Sequence, residues 1–181
     1  MLILAVCSIH LITLEIDPLV WHDEVQIVDL GRAALNPSTN WALTWNVKDS
    51  VPIMGPFHLG IALQEVAFNA TSPSGLGPRY LSMLAALLAA TCAFGWLMAR
   101  KTPPFIAMAL AFAFLIDPIF SEFYRGGRID GWVFATCLGS SWLLRAAMKN
   151  GQRANTIKTQ TFFAGVLLAA SPFFWASAPI V

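Results

Sequence analysis

Residues 77–101 read GPRYLSMLAALLAATCAFGWLMARK. No charged side chain lies between Arg79 and Arg100, and Leu, Ala, Met, Phe and Trp fill most of the positions. A helix needs about 20 apolar residues to cross a hydrocarbon core, and residues 80–99 supply that length. Basic residues mark both ends, as they do where a span meets the headgroups. The stretch reads as a transmembrane helix.

The rest of the chain agrees with it. Apolar residues make up 57% of the 181 and charged residues 12%, with a mean hydropathy of +0.64. A soluble domain carries about 25% charged residues, so this chain has roughly half the charge that coats a water-facing surface. Segments 104–120, 131–148 and 161–181 are also long and apolar. Segment 1–14 is short, but it lacks a basic start and a small-residue cleavage site before Trp21, so it reads as a span and not as a secretory leader. The expectation is an all-α membrane protein: one transmembrane domain over 1–181, with about five transmembrane helices. Cys7, Cys92 and Cys137 sit in apolar segments without metal-type or disulfide spacing. A net charge of +1 offers no field for nucleic acid.

Charge sorting fixes an orientation. Arg100 and Lys101 follow one span, while Arg145, Lys149, Arg153 and Lys158 follow another, with no acid in either loop. The positive-inside rule makes both loops cytoplasmic. Glu15, Asp17, Asp23, Glu24, Asp29, Asp49 and Glu65 then lie in an outer loop over 15–78, and Asp117, Glu122 and Asp130 gather around a second outer loop. Within the first loop, Ile27, Val28, Gly31, Ala34 and Leu35 recur at helical spacing opposite Gln26, Asp29 and Arg32, and Asn36-Pro37 stops the pattern. Trp21, Trp41 and Trp45 suit a headgroup layer. Residues 51–70 either span or lie at the interface. His58, Gln64 and Glu65 are costly at bilayer depth, which favours the interface, with Leu59, Ala62, Leu63 and Val66 as the apolar stripe. A spanning 51–70 would leave the amino terminus outside.

Asp23 and Glu24 open the surface helix. Acids there serve as caps and complement the helix dipole. Asp23 also continues the stripe of Ile27 and Gly31, which would aim it at the bundle, where a carboxylate is a functional candidate. A short first helix followed by an Asp-Glu pair resembles the GT-C superfamily of polyprenyl-phosphate-sugar glycosyltransferases, on the branch of protein O-mannosyltransferases and aminoarabinose transferases. IMGPFHLGI is similar in place to that branch's Pro-rich stretch but lacks its Lys-Pro-Pro core, which leaves the roles of Pro56 and His58 open. Residues 77–101 resemble its second span, and RIDGWVFATCLGSSWLL resembles its fourth. The resemblance implies that this chain is the N-terminal portion of a longer module.

It also implies an inverting transfer of a sugar from a lipid-phosphate carrier to an unidentified acceptor on the outer face of a membrane. Such chemistry needs a base for the acceptor proton; Asp23 takes that role, with Glu24 second. The phosphate leaving group needs positive charge, which Arg79, Arg125 and Arg128 offer on the same side. Asp130 and Glu122 either cap helices or face Asp23 across a cleft, and His58 joins as a substrate-side candidate. Gly126-Gly127 serves a tight turn or a close approach to a ligand, and Asp117-Pro118 reads as a helix-end feature. If a divalent cation takes part, Mg²⁺ or Mn²⁺ would sit on Asp23 and Asp130 with phosphate oxygens. Partners are a lipid-linked donor and membrane lipids, in a bacterial plasma membrane. The rival is a non-catalytic polytopic scaffold whose acids only cap helices. A transporter would place its charges near the midplane, where this chain has few.

Overall fold

A computed structural model describes residues 2–14, 16, 22–35, 58–71, 76–149 and 153–174; the side chains of 2–7, His22, Asp23, Gln26 and His58 lie outside that description. The described residues are all-helical. They form α1 (Leu2–Thr13), α2 (His22–Leu35), α3 (His58–Ala70), α4 (Gly77–Ala99), α5 (Pro104–Leu115), α6 (Pro118–Arg125), α7 (Asp130–Ala147) and α8 (Ala154–Phe174).

Helix α4 is the axis of the molecule, packed against α3, α5, α6 and α7. Its 23 residues extend about 35 Å at the usual rise. Pro78 fits its first turn, where a missing N–H costs nothing. At the far end Lys101 adopts φ +64°. Its N–H donates to the Met98 carbonyl, and the Thr102 N–H donates to that of Leu97. That pair of bonds is a Schellman stop built on lysine instead of the usual glycine. Among the described residues α4 is the one helix long and apolar enough to cross a membrane.

The expected span over 104–120 is broken. Helices α5 and α6 meet at a bend of 58°. Proline is the cause: Pro118 forces Asp117 out of helical geometry (ψ 128°). The Asp117 carboxylate then accepts from the Phe120 N–H at 3.0 Å, so it caps α6 as its sequence position implied. The Tyr124 hydroxyl covers the stranded Leu115 carbonyl at 3.1 Å. Helix α8 starts at Ala154, earlier than the apolar run at 161, and contains Pro172.

Alanine is the commonest buried apolar residue of the bundle, and several large apolar side chains lie outside it. Ala85, Ala86, Ala89, Ala107, Ala111, Ala135 and Ala164 are buried, whereas Phe105 (84% exposed), Phe162, Leu168 and Leu110 face outward. Gly95 lies against the ring of Trp142, and a methyl group there would come within 2.6 Å of it. Aqueous cores bury their large apolar residues; helices in lipid pack through small ones. A cluster of Leu14, Met83, Leu115, Phe120 and Tyr124 draws α1, α5 and α6 onto α4. On the other flank Ser140 donates to the Ala164 carbonyl at 2.9 Å and holds α7 to α8.

Helix α3 lies across one end of this bundle. Gly60 touches the Phe174 carbonyl and Ile129, while the Ala67 carbonyl meets Gly77. It therefore bridges the end of α8 and the starts of α7 and α4. Its buried face is Gly60, Ile61, Gln64 and Glu65, and Leu59 and Val66 of the apolar stripe are exposed at 40% and 54%. Helix α2 packs on α3, with Ile27, Val28, Gly31 and Ala33 buried and Arg32 outward, and it ends at Leu35. The expected stripe faces inward, except that Leu35 is exposed and Ala34 only half-buried. Trp21, residues 36–57 and residues 175–181 lie outside the described residues.

Candidate functional site

Glu24 stands in the first turn of α2 and Arg79 in the first turn of α4, so both come to the end of the bundle covered by α3. Arg79 Nε and Nη2 donate to Glu24 Oε1 and Oε2, each at 2.9 Å, in a two-bond fork. Nη1 donates to the Leu14 carbonyl, which ties α1 to the same pair. The side chains are 3% and 8% exposed. Such geometry is the strong form of the interaction. Removing one partner from a buried pair costs about 3–5 kcal/mol, because the other charge is stranded.

The α6–α7 turn closes over this pair. Gly127 has φ +68°, and a Cβ on it would lie 2.9 Å from Glu24 Oε1. Of the two roles weighed for the glycine pair, a tight turn or a close approach to a ligand, the turn falls on Gly127. What it approaches is the Glu24 carboxylate. Gln64 Nε2 donates to the Gly127 carbonyl at 2.7 Å and to Ser82 Oγ at 2.8 Å. Ser82 donates in turn to the Arg128 carbonyl at 2.6 Å. Arg128 Nε reaches Asp130 Oδ2 at 2.8 Å, and its guanidinium lies 4.6 Å from the centre of the Phe123 ring. Its side chain is 26% exposed.

One expectation is corrected here, and the other expected site residues take the following places. Asp130 is not the cap of α7; the cap position belongs to Ile129, without a side-chain bond, and Asp130 pairs with Arg128 one turn-edge away. Glu122 is exposed and takes no part in the buried layer. Arg125 serves α1: it donates to His10 Nδ1 at 2.6 Å and to Thr13 Oγ1 at 3.0 Å. Glu24 has both oxygens engaged by Arg79, which suits a holder of charge better than a proton acceptor. The side chains of Asp23 and His58 lie outside the described residues. Among the described residues no three His, Cys, Asp or Glu side chains gather as a metal site; the Asp130 carboxylate is paired with Arg128, and the side chain of Asp23, its expected companion at a cation, lies outside the described residues.

Sequence reasoning named Gln64 only as a polar group costly at bilayer depth and passed over Ser82, His10 and the Leu14 carbonyl. Gln64 carried the one usable signal: a fully polar amide in an apolar helix, which is fully buried. A second polar cluster lies on α2 and α3, where Arg32 Nε donates to Glu65 Oε1 at 3.2 Å and Asn69 Nδ2 to the same oxygen at 2.9 Å. Arg32 also pairs with Asp29 at 3.0 Å. The chain matches no family model, no curated protein and no solved structure.

Proposed function

We propose that this chain is an integral membrane glycosyltransferase that moves a sugar from a polyprenyl-phosphate carrier to an acceptor on the extracytoplasmic face of a bacterial plasma membrane. Five spans serve it in this reading: α1, α4, the bent α5–α6 pair, α7 and α8. Outward large apolar side chains and small residues at the helix contacts support the lipid setting. Arg100, Lys101, Arg145 and Lys149 lie at the opposite helix ends from Glu24, Arg79 and Asp130, as the positive-inside rule requires.

The observation that carries the reading is convergence. Glu24 and Arg79, 55 residues apart in sequence, meet in one layer beneath α3, with Arg128 at its surface. In the transfer, the acceptor O–H gives its proton to Asp23 as the acceptor oxygen bonds to the anomeric carbon. The bond from that carbon to the phosphate oxygen breaks, and the electron pair leaves with the phosphate. Glu24 holds Arg79 and the turn in place beside the neighbouring acid. Arg128 supplies positive charge for the leaving group. Asp23→Asn should abolish sugar transfer in membranes while insertion and abundance stay unchanged, and Arg128→Ala should impair transfer. Near-normal transfer by Asp23→Asn would remove the assigned base.

A second reading, a non-catalytic membrane scaffold, is favoured by the closure of Glu24 by Arg79, since a fully paired carboxylate does structural work. It makes Asp23→Asn silent in any assay of assembly or growth.

A further inference from the structure

We infer that Gln64 and Ser82 are positioning residues that clamp the α6–α7 turn and so hold Arg128 ready for a phosphate group; the ligand, though not the clamp, rests on the glycosyltransferase reading. The hydrogen-bond directions leave one arrangement. Both hydrogens of the Gln64 amide are used, one on the Gly127 carbonyl and one on Ser82 Oγ, and the Ser82 hydroxyl hydrogen goes to the Arg128 carbonyl. Two successive carbonyls of the turn are thereby tied to two different helices, α3 and α4. Gln64 Oε1 is buried with no hydrogen-bond partner among the described residues.

The clamped backbone has consequences on both sides. Gly127 is pressed on the Glu24 carboxylate, and the guanidinium of Arg128 is set between Phe123 and Asp130. Gln64 and Ser82 are themselves fully buried, so they act on a surface ligand only through the turn. The ligand class is a phosphate monoester or diester, from a lipid-linked donor or from an ordinary headgroup.

The test uses the whole chain in lipid nanodiscs, comparing wild type with Ser82→Ala, Ser82→Thr and Gln64→Leu. Amide hydrogen exchange at 126–129 should rise about tenfold in Ser82→Ala and Gln64→Leu, the equivalent of one lost hydrogen bond, while the middle of α4 stays protected. Ser82→Thr keeps the hydroxyl and should restore protection. Decaprenyl phosphate should bind Ser82→Ala about tenfold more weakly than wild type by the same reckoning, with recovery in Ser82→Thr. Excess phosphatidylglycerol should not compete, and if it does, the headgroup is the source of the phosphate and the donor assignment falls. Unchanged exchange at 126–129 overturns the clamp. Raised exchange with unchanged decaprenyl phosphate affinity overturns the positioning role. A wild type that binds no decaprenyl phosphate overturns the glycosyltransferase reading, and the exchange data then judge the clamp separately.

Discussion

At Glu24 both carboxylate oxygens accept from one arginine inside a layer with little contact with solvent. Arg79→Met therefore strands a buried charge and should cost about 3–5 kcal/mol, whereas the double change Glu24→Leu with Arg79→Met should recover most of it. Unfolding in mixed detergent measures both; equal losses in single and double variants would mean the pair is uncoupled. Gly127→Ala should cost about 1–2 kcal/mol through its left-handed backbone alone, and more through contact with Glu24. The acidic pair was visible in sequence, and so was the helical stripe. The stripe of Ile27 and Gly31 aimed Asp23 at the bundle; its side chain lies outside the described residues, and the acid seen buried is Glu24. Glu24 is drawn in by Arg79, a partner 55 residues away that no local pattern of α2 reveals.

Helix boundaries were legible where proline sets them and blurred where only hydropathy speaks. Asp117-Pro118 reads correctly as a helix end, yet the apolar run continues through Phe120 and disguises the 58° bend. Asp117→Ala should loosen α6 by about 1 kcal/mol, the ordinary worth of a cap, seen as faster amide exchange over 118–125. In α3 the stripe of Leu59, Ala62, Leu63 and Val66 was recognised, but Leu59 and Val66 are exposed and Leu63 packs, half-buried, against Val133 and Phe174, while Gln64 and Glu65 turn in. Periodicity reports that two faces differ, not which one meets protein. The α4–α7 seam gives a sharper test. Gly95→Leu would drive a side chain into Trp142 and should cost more than about 3 kcal/mol, against about 0.5 kcal/mol or less for the exposed Leu88→Ala. Similar losses in the two variants would contradict close packing of α4 on α7.

Over the whole molecule, few charges and many large apolar side chains led to the expectation of a membrane protein. Among the described residues one helix is long and apolar enough to cross a membrane, and Phe105, Phe162 and Phe163 are exposed on α5 and α8. Charge sorting put Glu24, Arg79 and Arg128 on one side, but which of them touch, the Glu24–Arg79 fork above all, was beyond the reach of sequence. The central claim is that the carboxylate–arginine end of the bundle faces outside a membrane and the lysine-rich end faces the cytoplasm. Single-cysteine variants Glu122→Cys and Lys149→Cys, in a background without Cys7, Cys92 and Cys137, test it with a membrane-impermeant maleimide on intact cells. Position 122 should label at once and position 149 only after permeabilisation. Labelling of both in intact cells, of both only after permeabilisation, or in the reverse order would contradict it.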